Sequence, residues 1–103
     1  AGQRRALLRS LAEGLIRYGK IRSTLARAKA LRRFIEPLVT RARIGTLASR
    51  RLVAARLGTE RRSKKLIEEI APRYAKRPGG YTRVTKLGPD AGRGPKRALI
   101  EWV

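Results

Sequence analysis

Cysteine, histidine and methionine are all missing from these 103 residues. Without cysteine there are no disulfides and no thiolate metal ligands, and the redox compartment goes unread. Without histidine the commonest general base and the commonest zinc ligand are gone together. The missing methionine extends to position 1, which points to a trimmed or processed chain. Aromatics are scarce: Tyr18, Phe34, Tyr74, Tyr81 and Trp102. No aromatic-rich strand is among them, so a stacking platform for single strands is not expected. Apolar runs fall far short of the roughly 18–20 residues that a membrane span needs. Acidic residues number seven.

Against those seven acids stand 27 Lys and Arg, a formal charge of +20. A compact chain tolerates such self-repulsion when its usual partner is a polyanion. The excess runs from end to end, with 14 basic and two acidic residues in 1–52 and 13 and five in the rest. Twenty of the 27 are Arg, whose fork grips phosphate oxygens where Lys offers a point charge. At 42% hydrophobic, the chain is nevertheless no disordered basic tail. Its length fits one domain with a modest core.

Apolar spacing predicts four helices. In residues 3–18, Leu7, Leu8, Leu11, Leu15 and Tyr18 recur three or four apart, a helical stripe. On another side Glu13 can pair with Arg9 or Arg17. Gly19 ends that helix, and Ile21–Ser23 is a short extended link. Ser23 or Thr24 caps a second helix running to about Arg43, with Ala28, Leu31, Ile35, Leu38 and Ala42 inward. Pro37 should kink it without stopping it, since the spacing continues. Gly45 closes it, and Thr46 caps a third helix through Leu57 with Leu47, Leu52 and Val53 as further apolar contacts. Thr59 and Glu60 open a fourth, marked by Leu66, Ile67, Ile70, Ala71 and Tyr74, with Pro72 late in it as the mark of a kinked last turn.

Pro78-Gly79-Gly80 is the strongest breaker, and after it the period falls from 3.6 to 2. Tyr81–Leu87 and Arg97–Val103 read as strands of a hairpin, with Ala98, Ile100 and Trp102 on one face. Gly79 and Gly80 are expected to shape the turn, at least one at positive φ. Two strands alone are marginal, so helices must cover one face, with Ile21–Ser23 available as a third strand. The loop 88–96 has no apolar anchor and reads as a mobile hairpin tip. The expected fold class is α+β: about four helices over 3–77, packed on a small antiparallel sheet that ends in a hairpin over 81–103, in one domain spanning 1–103.

Catalytic constellations are absent. Glu68 and Glu69 are adjacent, so a helix points them about 100° apart, a poor acid–base pair. Gly92-Arg93-Gly94-Pro95-Lys96 lacks the glycine spacing and Lys-Ser/Thr ending of a phosphate loop. Six basic pairs, among them Arg4-Arg5, Arg32-Arg33 and Arg50-Arg51, have few acidic neighbours. As a set they favour phosphate contact without sequence reading. Structured RNA recognised by shape, or duplex DNA, fits that description.

At Ala71-Pro72-Arg73-Tyr74 and Pro78-Gly79-Gly80-Tyr81-Thr82-Arg83-Val84 the chain closely resembles the bacterial-type large-subunit ribosomal protein seventeen family. Its opening Arg4-Arg5-Ala6-Leu7-Leu8-Arg9-Ser10-Leu11 is similar to that family's first helix. Ile21-Arg22-Ser23-Thr24-Leu25-Ala26-Arg27-Ala28-Lys29 resembles the turn into its second helix, and Ala98-Leu99-Ile100-Glu101-Trp102-Val103 its last strand. The resemblance implies helices on a small antiparallel sheet, embedded in large-subunit ribosomal RNA beside other large-subunit proteins, near the outer end of the peptide exit tunnel. It implies a ribosomal location, in a bacterial cytoplasm or an organelle. Two departures stand out. The chain starts where the family's basic N-terminal arm would end, and Pro37 falls a few residues later than the family's usual proline.

The resulting expectation is a structural, non-catalytic ribosomal RNA-binding protein without cofactor, metal, membrane or small-molecule partner. Cationic side chains would release counterions and bridge distant RNA segments. The candidate phosphate contacts are Arg4, Arg5, Arg9, Arg22, Arg27, Lys29, Arg33, Arg50, Arg51, Arg83, Arg93 and Lys96. The rival reading is a basic DNA-binding module in which residues 25–43 and 47–57 mimic a helix-turn-helix. Against it, Gln3 is the one Asn or Gln in the chain, and such side chains read adenine edges. An anionic-membrane helix fails because charge surrounds several helices.

Overall fold

Three threonines and three glycines mark out the helical part. The computed structural model describes residues 2–88 and 96–103. Helix α1 (Gly2–Tyr18) leads into strand β1 (Lys20–Thr24), then α2 (Leu25–Ile44), α3 (Leu47–Leu57) and α4 (Glu60–Lys65). Thr24, Thr46 and Thr59 each accept a backbone N–H three residues on, from Arg27, Ser49 and Arg62. Each thus satisfies a donor that an N-terminal turn leaves unpaired. Of Ser23 and Thr24, then, Thr24 is the cap. Gly19, Gly45 and Gly58 end the first three helices in left-handed conformation. Helix α2 continues through Pro37, as its unbroken apolar spacing requires.

The fourth helix departs from expectation. One helix to about residue 77 is replaced by three short pieces: α4, a π-helical turn at Leu66–Ile70 and a 3-10 turn at Ala71–Tyr74. The Ala71 N–H bonds back to Leu66 O, five residues away. Pro72 lacks an N–H and would clash with the carbonyl four residues before it, so the regular ladder cannot pass.

Strands β2 (Thr82–Lys86) and β3 (Arg97–Trp102) pair antiparallel, and β1 pairs antiparallel with the other edge of β3. The order is therefore β1-β3-β2. The extended link is a full third strand, and the last strand in sequence is the central one. Ala98 and Ile100 are fully buried under the helices, and Ile100 faces Ile21 on one side and Val84 on the other. Together with Leu15, Leu31, Ile35, Val53, Leu57, Leu66 and Tyr81 they form the core. Phe34 and Trp102 are half-buried against it.

Three apolar expectations are corrected. Leu7, Tyr18 and Leu47 are exposed, while α1 buries Ala12, Leu15 and Ile16. The buried face is rotated from the Leu7–Tyr18 stripe toward Ala12 and Ile16, with Leu15 common to both. Glu13 pairs with neither Arg9 nor Arg17. It takes Arg62 from α4 at 2.8 Å, a partner 49 positions away. At the breaker, Gly80 has φ +65 whereas Gly79 does not enter the left-handed region. Gly80 is the residue that turns the chain into Tyr81.

Candidate nucleic-acid interface

Cations in this fold divide by whether the chain itself supplies an acceptor. Arg43 donates to the Tyr81 phenol at 2.8 Å and to Ala75 O at 2.9 Å. Its guanidinium also lies 5.9 Å from the Tyr81 ring centre. Arg62 joins Leu57 O to Glu13. Arg9 reaches the last turn of α3, with Nε donating to Arg56 O at 3.1 Å and Nη2 to Ala55 O at 3.2 Å. A cation there complements the carbonyl end of a helix. Arg9, a candidate phosphate contact, is thus engaged within the fold.

Glu36 is the acidic counterpart. One carboxylate oxygen accepts the Tyr81 N–H at 3.1 Å, and the other accepts the Thr82 N–H and hydroxyl, both at 2.8 Å. This grips the entry to β2 directly after the Gly80 turn. Tyr74 completes the cluster: its hydroxyl donates to Val103 O at 2.8 Å. Burial pushes its phenol pKa up, against the opposing pull of Arg73 and Arg77.

Most other candidates are exposed and fall into groups. The first half of α2 and the edge strand β2 enclose a groove lined by Leu25, Lys29, Arg32, Arg33, Val84 and Lys86, about 350 Å³. It adjoins a second hollow of about 510 Å³ that adds Thr24, Ala26 and Lys96. No acidic side chain is among these described lining residues. The helical spacing that puts Lys29 and Arg33 on one face and the strand ends that bring Lys86 and Lys96 together create the groove. Arg32 and Lys86 belong to it although neither is a sequence candidate; the Arg32-Arg33 pair was the available signal.

A second cleft, about 700 Å³, lies between α3 and α4 and holds Arg50, Arg51, Arg61 and Lys64, with Glu60 and Glu68 on its wall. A third cationic surface is the sheet face away from the core. Pleating places Lys20, Arg22, Arg83, Arg97 and Glu101 on that face by register. Arg22 and Arg83 are exposed there, and Arg83 is 3.9 Å from Glu101. Arg4 and Arg5 are exposed in the first turns of α1 and Arg27 in the first turn of α2. Arg93 and most of the 88–96 loop lie outside the described residues. No single patch gathers all the candidates.

Fold and surface together define a small, strongly cationic α+β protein, with no group of potential metal ligands among the described residues. Nor is any described helix long and apolar enough to cross a membrane. Residues 7–103 match the family model described as Ribosomal protein L17. A protein named "Large ribosomal subunit protein bL17" from Sulfurihydrogenibium sp. is 52% identical over 102 residues, covering 98% of this chain and 84% of the relative. Its namesake from Gemmatimonas aurantiaca is 48% identical, covering 98% of this chain and 86% of the relative. The one from Caldanaerobacter subterraneus is also 48% identical, with 98% and 90% covered. The chain belongs to the Ribosomal protein L17 family. It is therefore a structural constituent of the large ribosomal subunit, found in the ribosome, and not an enzyme.

Proposed function

We propose that the chain acts as one ribosomal RNA-binding domain that bridges large-subunit RNA segments, near the peptide exit tunnel and beside neighbouring large-subunit proteins. The observation that carries this reading is the groove between α2 and the sheet. Lys29, Arg32, Arg33 and Lys86 line it and Lys96 lines the adjoining hollow, with no acid among the described lining residues, whereas Arg9, Arg43 and Arg62 find acceptors inside the fold. Cations without internal partners among the described residues, on several sides of a small body, suit RNA strands converging from several directions. The tunnel placement rests on the family resemblance.

Binding of this kind is driven by counterion release. If about eight phosphates are neutralised, log K should fall against log salt with a slope of roughly −6 to −7. Titration of the protein against a large-subunit ribosomal RNA transcript at several KCl concentrations measures it. An affinity nearly independent of salt overturns the reading. Crosslinking within assembled large subunits tests the neighbours and the tunnel placement.

A further inference from the structure

We propose that Tyr18 is a stacking platform for one unpaired nucleobase of the bound RNA, with Arg17 completing the stack. This rests on the RNA-binding reading above and names a contact within it. The other four aromatics already have work inside the fold. Tyr81 is fully buried and bonded to Thr40 and Arg43, and Tyr74 is buried and bonded to Val103. Phe34 and Trp102 pack against the core, and the Trp102 indole N–H donates to Leu15 O. Tyr18 is 68% exposed.

Exposure alone would say little, since single apolar side chains on a surface are ordinary. The surroundings decide what the ring suits. The Arg17 guanidinium lies over it, 5.4 Å from its centre, a cation–π arrangement that holds both side chains in place. Next in chain, Gly19 (φ +82) turns sharply into β1, so Tyr18 stands at a corner of the body. Exposed Lys20 follows, and the Lys65 ammonium donates to Arg17 O at 3.4 Å. An exposed ring with Arg17 against it, Lys20 two positions on and Lys65 held at the Arg17 carbonyl suits a nucleotide: the base stacks, and its phosphates meet cations. An apolar protein segment gains nothing from those three charges.

Stacking and phosphate contact separate by salt dependence. Tyr18→Phe, Tyr18→Leu and Tyr18→Ala are titrated with the same ribosomal RNA transcript over a KCl series, with melting followed by circular dichroism. The Phe variant should bind within about twofold of wild type, and Leu and Ala should weaken binding by roughly five- to a hundredfold. The slope of log K against log salt should stay unchanged in all three, because no phosphate contact is lost. Zero-length ultraviolet crosslinking and mass spectrometry should join a base to Tyr18. Wild-type affinity in the Ala variant overturns the proposal. So does a Leu variant as good as Phe, which would show apolar bulk and not a π face at work, or a loss that flattens the salt slope. Wild-type protein that binds no RNA at all removes both this proposal and the reading beneath it.

Discussion

Along α2, Lys29, Arg32 and Arg33 in the first half stand exposed around an open groove, while Glu36 and Arg43 in the second half are bonded into the entry of β2. The same helix thus carries charge in two settings. In the second half, acceptors and donors from 32 to 46 positions away close on each group. In the first half the facing strand ends bring Lys86 and Lys96, which add cations instead of neutralising them. Charge in a sequence therefore does not state its use. What the fold sets opposite it does.

Glu36→Ala should have the largest effect on stability. It leaves two part-buried backbone N–H groups and the Thr82 hydroxyl without their carboxylate, a loss of about 3 kcal/mol. Urea denaturation reads this directly, and a change below about 1 kcal/mol would mean that water replaces the carboxylate freely. The Gly80 turn should come next. Gly80→Val forces a β-branched residue to positive φ and should lose about 1–2 kcal/mol. At Gly79 an added Cβ meets nothing within 4 Å, and Gly79→Val should stay within about 0.5 kcal/mol. Equal midpoints for the two variants would dissolve the distinction between those glycines. The smallest stability effect belongs to the groove. Replacing Lys29, Arg33 and Lys96 together by Gln should shift unfolding by no more than about 0.5 kcal/mol. The same variant should make the salt slope of RNA binding less negative by about 2 to 3. A large loss of stability with an unchanged slope would put the groove on the structural side of the comparison.

Local features were legible before the fold. Thr46, Thr59, Gly45 and Gly58 carry their helix boundaries in their own chemistry, and the period of 2 after Gly80 marked both hairpin strands. Distant pairings were not legible. Nothing near Glu36 announces Tyr81 and Thr82, and nothing near Arg9 or Glu13 points to α3 or Arg62, because periodicity reports which face is buried and not which groups meet on it. The π-helical turn at Leu66–Ile70 escaped for a different reason: its apolar residues suit an ordinary helix, and only Pro72 upsets the ladder. The candidate cations were readable as a population. Arg9 could not be separated from Arg33 until the carbonyls of Ala55 and Arg56 were in place.

The sheet order β1-β3-β2 also bears on how the molecule is made. Synthesis delivers β1 first and β3 last, yet β3 holds both other strands. Until Arg97–Trp102 is available, β1 and β2 have no partner, Leu15 O lacks the Trp102 indole and Ile100 is missing from the core. The helices can begin to form as they emerge, since their backbone hydrogen bonds are local, but the β1–β3 pairing must wait and then close a loop spanning most of the chain, a slow kind of step. In that interval a chain of charge +20 exposes both its apolar interior and its cations. Under the RNA-binding proposal above, a polyanion that neutralises it then would favour collapse and guard against aggregation, which would make RNA a folding partner too.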